Sequence, residues 1–166
     1  TMIAHGQRRF PEEIAAGKIE FRQGWAQNLP VESSIANGST NFNSFHQFGD
    51  EHRALEALKE MVRILKPGGW GFVRDFRRNV PPWRMDEFLK KRKSNVRDLL
   101  VDSLGAAFTE DEFRDMLKQI DDIEFEVSKA RDPRRIMSLW PAIAKDPIRH
   151  WLDFMISQNV TIRKLK

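Results

Sequence analysis

The sequence contains no cysteine. Disulfide bridges, thiolate metal sites and cysteine nucleophiles are therefore excluded, and the composition suits a reducing compartment. No apolar run approaches the roughly 18 residues that a membrane-spanning helix needs. With 40% apolar and 31% charged residues, the chain has the composition of a soluble globular protein. We expect a cytoplasmic protein of about one domain with no membrane partner.

No targeting segment is visible in the first residues. They read Thr1-Met2-Ile3-Ala4-His5, without a charged region followed by an apolar stretch and without an arginine- and serine-rich transit pattern. Because they already have the character of a helix interior, we expect that upstream sequence is missing.

The sequence also lacks the common metal and nucleophile motifs. None of its four histidines pairs with another at i, i+4, and it has no Gly-x-Ser-x-Gly elbow. Its glycine group, Gly68-Gly69-Trp70-Gly71, follows a predicted helix and precedes a predicted strand, which is the reverse of a nucleotide-binding loop. We therefore expect a helix-to-strand turn there and no metal site.

The net charge is +4, and the densest basic run is Lys90-Lys91-Arg92-Lys93. Such a run suits a nucleic-acid surface, so an RNA-binding or RNA-modifying module is one alternative. The interleaved acidic residues Asp86, Glu87 and Asp98 favour a solvated helix face instead. A nucleic-acid partner is therefore not expected.

Helical and strand patterns alternate along the chain. Asp50 is a plausible N-cap, and Thr109 with Glu112 has the spacing of a capping box. The predicted helices cover residues 2–16 with a break at Pro11, 51–66, 84–104, 110–119 and an amphipathic segment from 146. The predicted strands cover residues 18–23, the start of 39–48, 70–76, 123–129 and 134–139. This alternation predicts an α/β sheet wound by crossovers.

Four segments in order resemble one known family. They are IEFRQGWAQNLP (19–30), SFHQFGD (44–50), ALEALKEMVRILKPGG (54–69) and WGFVRDFR (70–77). Together they resemble the class I S-adenosylmethionine-dependent methyltransferases of the UbiE-like, type 11 kind, over residues 1 to about 130. The resemblance implies a Rossmann-like sheet with flanking helices that lacks the first strands. It also implies methyl transfer from S-adenosylmethionine to a small-molecule acceptor.

The resemblance further implies where the cofactor would lie. Gly24, Trp25 and Ala26 would stand beside the adenine. Trp25 replaces an aspartate that commonly accepts a hydrogen bond from the adenine amino group, whereas an indole can stack but cannot accept that bond. The remaining implied cofactor contacts are Met2, Asn43, Ser44, Phe45 and His46. The glycine-rich loop that supplies backbone amides to the cofactor is missing from the sequence.

Catalytic and substrate roles follow from the same resemblance. His46 is the candidate general base, with a structural or cofactor-contacting role as the alternative, and Asp75 is a candidate for orienting substrate. A lid-like insertion over about 77–105 would bring Trp83, Met85 and Phe88 to an apolar substrate, unless it is an exposed helix with aromatic anchors. We expect the methyltransferase-like domain to cover residues 1–140, followed by an amphipathic helix and tail over 141–166.

A different class of function is also open. The chain could be a non-catalytic subunit whose incomplete sheet pairs with a partner chain or with a second copy, because an unpaired strand edge is a template for association. The tryptophan at position 25 and the missing glycine-rich loop favour this alternative.

Overall fold

The computed structural model describes residues 2–90, 92–130 and 156–166. Two short helices come first, α1 (Met2–Arg9) and α2 (Pro11–Ala15), and they are separated as predicted because proline cannot continue a helix interior. The elements that follow are β1 (Ala36–Phe42), a 3-10 turn (Phe45–Gln47), α3 (Glu51–Arg63), β2 (Leu65–Phe76), α4 (Pro82–Lys90), α5 (Ser94–Gly105), α6 (Glu110–Leu117), β3 (Ile123–Lys129) and β4 (Ser157–Lys164).

The strands form one open, mixed sheet in the order β1-β2-β4-β3. β1 and β2 are parallel and are connected through α3, whereas β4 is antiparallel to both β2 and β3. The predicted α/β class is confirmed. Because β1 and β2 are parallel, their carboxyl ends lie at the same edge of the sheet.

The main core lies between α3, α6 and one face of the sheet. Asp50 caps α3 as predicted, since its side chain accepts a hydrogen bond from the backbone N–H of Arg53 at 2.8 Å. Leu58 of α3 and Phe113 of α6 are both fully buried, and Val73 of β2 packs with them. The predicted capping box at the start of α6 is also present. Burial of these apolar faces is the main force holding the helices on the sheet.

Helices α4 and α5 build a second, smaller core. The buried members of this cluster are Val80, Phe88, Leu89, Leu104 and Ile156. The predicted continuous helix over 84–104 is wrong, because α4 ends at Lys90 and α5 begins at Ser94. The basic run lies at this break, where like charges one helical turn apart destabilise a helix. Lys93 there has an extended backbone.

The predicted strand over 18–23 is also wrong. At the start of this segment the backbone bonds to α2 and not to another strand. The backbone N–H of Lys18 donates to the carbonyl of Glu13 at 2.8 Å, which closes the end of α2. Residues 19–24 are irregular and pair with no strand in the described part of the chain. An alternating pattern gives a strand only where a neighbour completes the hydrogen-bond ladder.

The turn between α3 and β2 differs from the prediction in its bounds. The helix ends at Arg63 rather than near residue 66, and β2 begins at Leu65 rather than at Trp70. Gly68 has a φ of +78°, a conformation that favours glycine, and the pairing register with β1 shifts at this point. The glycine group is thus a bulge at the start of a strand. It is not a ligand loop that opens a helix.

Strand β4 was not predicted, since residues 157–164 were assigned to a C-terminal helix and tail. Val160 and Ile162 of β4 are buried on the core face, while Thr161 and Arg163 between and after them are exposed. The strand at 134–139 and nearly all of the helix from 146 fall in 131–155, outside the described residues. Within the described ranges, no helix is both long enough and apolar enough to cross a membrane.

Candidate functional site

A pocket of about 660 Å³ lies beside the end of β1. One wall is the loop 24–28, and the opposite wall comes from Gln47 and Phe48, which follow β1, and from Arg53 in the first turn of α3. The three predicted adenine-side residues, Gly24, Trp25 and Ala26, all line this pocket. Ligands of open α/β sheets bind outside the carboxyl ends of the strands, and this pocket has that position.

The pocket loop is fixed by contacts to α3. The carboxylate of Glu60 accepts a hydrogen bond from the backbone N–H of Leu29 at 2.8 Å. Arg63 donates to the carbonyl oxygen of Val31 at 2.9 Å and also pairs with Glu60 at 2.6 Å. The hydrogen bond from Arg63 is the main cause that lowers the pKa of Glu60, so this anchor stays charged at neutral pH.

Within the loop, two residues have distinct geometry. A Cβ atom on Gly24 would lie 2.5 Å from Cδ of Pro30, so only glycine fits without a shift of the chain. The backbone N–H of Asn28 donates to the carbonyl of Trp25 at 3.0 Å and closes a tight turn. The Trp25 side chain is 79% exposed, which leaves its indole face open at the pocket.

The two predicted catalytic residues form a buried pair. His46 lies in the 3-10 turn after β1, and Asp75 lies near the carboxyl end of β2. Nδ1 of His46 is 2.6 Å from one carboxylate oxygen of Asp75, and the backbone N–H of His46 donates to the other at 3.1 Å. The backbone N–H of Phe76 also donates to Asp75, at 2.7 Å. Asp75 therefore holds the histidine in this structure.

The residues just before His46 have mainly structural contacts. Asn43 has a φ of +51° and its N–H donates to the carbonyl of Arg74 at 2.8 Å, which joins the ends of β1 and β2. Ser44 donates to the side-chain oxygen of Asn41 at 2.7 Å. The ring of Phe45 is 1% exposed and belongs to the main core. A cofactor contact by the Phe45 side chain is therefore wrong for this structure, and only its backbone is available.

The structure does not bring the other predicted residues to this pocket. Met2 is 91% exposed on α1 and is not among the lining residues. Of the three predicted substrate contacts, Phe88 is buried in the second core and Met85 packs against that core. Phe88 is thus an anchor of the lid-like helices rather than a substrate contact. Trp83 is exposed, with the guanidinium of Arg84 4.9 Å from its ring centre.

Sequence reasoning missed five lining residues of the pocket. They are Gln27, Asn28, Gln47, Phe48 and Arg53. Gln27 and Asn28 directly follow the predicted adenine-side residues, so continuing the loop would have found them. Arg53 had no signal, because folding alone brings the start of α3 to the loop.

A buried polar network below the end of β2 was also missed. Arg77 contacts Glu110 at 3.3 Å, and the side chain of Asn79 donates to the same carboxylate at 2.7 Å. Burial opposes ionisation of Glu110, but the hydrogen bond from Asn79 and the charge of Arg77 outweigh it, so its pKa is lowered. Gln158 of β4 adds hydrogen bonds to the carbonyl oxygens of Phe76 and Phe108. These contacts fix the segment that follows Asp75.

Comparisons with known proteins agree with the fold. Residues 1–73 match a family model described as a methyltransferase domain. The sequence matches no curated protein.

Solved structures with a similar fold include two methyltransferases and a cyclase. The plantazolicin methyltransferase BpumL, in complex with a pentazolic desmethylPZN analog and SAH, is 16% identical, with 99% of this chain and 72% of that chain covered and a TM-score of 0.63. A SAM-dependent methyltransferase from Aquifex aeolicus is 12% identical, with 99% and 64% covered and a TM-score of 0.57. The [4+2]-cyclase SpnF is 15% identical, with 98% and 62% covered and a TM-score of 0.56.

Because the sequence identities are only 12% to 16%, the similarity to these solved structures shows the fold alone. The chain spans between 62% and 72% of the length of these three neighbours. Residues 1–73 thus resemble a methyltransferase domain, and the described sheet and helices share the Rossmann-like fold of solved methyltransferases, one of them in complex with SAH.

Proposed function

We propose that this chain takes part in methyl transfer from S-adenosylmethionine to a small-molecule acceptor, with the adenosyl part in the pocket beside loop 24–28. The observation that carries the proposal is the position of that loop. It lies within the segment that matches the methyltransferase model, and it lines a pocket at the carboxyl end of β1. A solvent-facing loop with no ligand role has no need of such a wall.

The lining residues have the chemistry that an adenosyl group requires. Trp25 and Phe48 offer aromatic surface for a planar base. The amide side chains of Gln27, Asn28 and Gln47 offer both donors and acceptors for the edges of the base. These amides provide acceptors close to the position where Trp25 replaces the family's usual aspartate.

When bound, the cofactor supplies an electrophilic methyl group on a sulfonium. The protein's own contribution is to hold the acceptor in line with that methyl and to exclude water, which lowers the barrier through alignment and desolvation. The exposed Trp83 of α4 is the one predicted substrate contact still open to an apolar acceptor.

We propose further that the glycine-rich loop belongs to sequence outside these 166 residues. Support comes from the absence of any glycine-rich strand-to-helix loop in the chain and from the limited share of the solved neighbours that it spans. On this proposal, the chain alone binds S-adenosylhomocysteine weakly, and an extension by about 50 upstream residues, enough for a strand, loop and helix, raises the affinity to the micromolar range.

Isothermal titration with S-adenosylhomocysteine tests the proposal. Gly24→Ala should abolish binding, because the added Cβ would meet Pro30 at 2.5 Å. The matched control is Gly105→Ala at the end of α5, where a Cβ meets nothing within 4 Å. Equal affinities of the two variants would show that the pocket loop does not hold the cofactor.

A second candidate function is a non-catalytic subunit, and the outer side of β1 favours it. In the described sheet, β1 pairs with β2 alone, so its other edge is open. Phe42, the last residue of β1, is 56% exposed, and Trp70 of β2, whose ring lies over Gly38 of β1, is 53% exposed. Sedimentation analysis should then show a dimer or a partner complex that Phe42→Asp disrupts. A monomer at all concentrations, with S-adenosylhomocysteine bound, would favour the enzyme.

The cytoplasmic location remains a prediction from the absence of cysteine.

A further inference from the structure

The His46 and Asp75 side chains make more polar contacts than packing alone requires. Asp75 is 1% exposed, and its carboxylate accepts the backbone N–H groups of His46 and Phe76 as well as the imidazole contact at 2.6 Å. Each carboxylate oxygen of Asp75 thus has at least one partner among these backbone N–H and imidazole groups. The side chain cannot turn toward a substrate without breaking these bonds, so in this geometry Asp75 acts on His46.

The contact with Asp75 fixes the tautomer of the imidazole. An ionised carboxylate can only accept hydrogen bonds, so Nδ1 of His46 has to carry the proton. In the neutral ring, Nε2 is then the acceptor. Nε2 has no hydrogen-bond partner in the described part of the chain, and His46 keeps 6% of its surface exposed, against 1% for Asp75.

The position of the pair relates it to the proposed cofactor pocket. His46 directly precedes Gln47 and Phe48, which line that pocket. The ring of His46 lies 5.0 Å from that of Phe76, centre to centre, so the imidazole is held from two sides at the end of β2. The imidazole is not among the groups that line the pocket, but it lies at the same carboxyl edge of the sheet.

We propose that His46 is a general base and Asp75 its positioning residue, and that the methyl acceptor is a small molecule whose attacking oxygen or nitrogen carries a proton. This inference rests on the proposed function. The acceptor's lone pair forms the new bond to the methyl carbon, and the electron pair of the breaking carbon–sulfur bond returns to sulfur. The acceptor's proton passes to Nε2, and the resulting imidazolium is compensated by the Asp75 carboxylate.

This assignment distinguishes among classes of acceptor. A hydroxyl or a primary amine loses a proton on methylation and gains from a base. A tertiary amine or a thioether carries no proton on the attacking atom and gains nothing. The pair therefore accelerates methylation of the first group only.

The experiment has one arm that does not depend on activity. Long-range 1H–15N correlation spectra above neutral pH should show the Nδ1–H tautomer for His46, and Asp75→Asn should reduce its population. Exposed His52 provides the reference in the same spectrum. Diethyl pyrocarbonate should also modify Nε2 of His46, although more slowly than His52. An Nε2–H tautomer, or an inert His46 beside a fully modified His52, would overturn the proposal.

The second arm uses a panel of phenols, primary amines, tertiary amines and thioethers with S-adenosylmethionine. Turnover of the phenols and primary amines should fall by about 10²- to 10⁴-fold in His46→Gln, with His52→Gln as the matched control, whereas any turnover of tertiary amines and thioethers should be unchanged. Turnover of the phenols and primary amines that His46→Gln leaves unchanged would overturn the inference. Titration of S-adenosylhomocysteine is independent of the first arm, which needs no cofactor. A failure of cofactor binding would therefore count against the proposed function, while the tautomer and modification results would still decide the pair.

Discussion

Replacing Glu110 by alanine should destabilise the protein by about 3 to 5 kcal/mol, because it leaves a buried cation without this carboxylate. The side chains of Arg77 and Glu110 are only 3% and 8% exposed, and Asn79 donates a further hydrogen bond to Glu110 at 2.7 Å. Glu110→Gln keeps the shape and an acceptor for Asn79, so we expect a smaller loss of about 1.5 to 3 kcal/mol.

Urea unfolding followed by circular dichroism measures both losses. Domains of this kind have a total stability of about 5 to 15 kcal/mol, so the alanine variant should show a clearly lower midpoint. The control is Glu56→Ala, which breaks an exposed pair with Lys59 and should cost less than about 1 kcal/mol. Equal, small losses at both positions would show that solvent screens the Arg77 pair and would refute the reasoning from burial.

Two further predictions concern the start of α6 and acid stability. Thr109→Ala removes the capping box and should cost about 1 kcal/mol in the same urea assay, while Thr109→Ser, which keeps the hydroxyl, should stay near wild type. Glu60 and Glu112 have pKa values lowered in the fold, so each stabilises above the ordinary glutamate pKa of about 4.3, and this stability is lost as pH falls through the lowered value. The free energy of unfolding should therefore drop below about pH 4, and less so in Glu60→Gln; an identical pH profile in that variant would contradict the assignment.

Local signals in the sequence predicted much of the fold. Helix α3 has a strong amphipathic pattern and an N-cap at Asp50, and α6 has a capping box, so both were placed within a few residues. Where an element depends on distant partners, the pattern alone failed. Residues 18–23 alternate but pair with no described strand, whereas β4 becomes a strand because β2 and β3 flank it.

The same holds for the site, where local motifs could be predicted but contacts between distant residues could not. The resemblance proposed loop 24–26 and the two residues His46 and Asp75 as site residues, because these lie within short motifs that can be recognised without the rest of the fold. It could not show that Asp75 contacts His46 at 2.6 Å, since the two are 29 positions apart. Nor could it separate Phe45 and Phe88, which are buried in cores, from aromatic residues that face a ligand.

Titration of S-adenosylhomocysteine into the chain, and into the same chain extended upstream, tests the central claim most directly. The account predicts saturable binding that becomes tighter in the extended form, that Gly24→Ala abolishes and that Gly105→Ala preserves. Absence of binding by both forms would contradict the claim that the pocket beside loop 24–28 holds the cofactor, and the partner-subunit function would then be the better account.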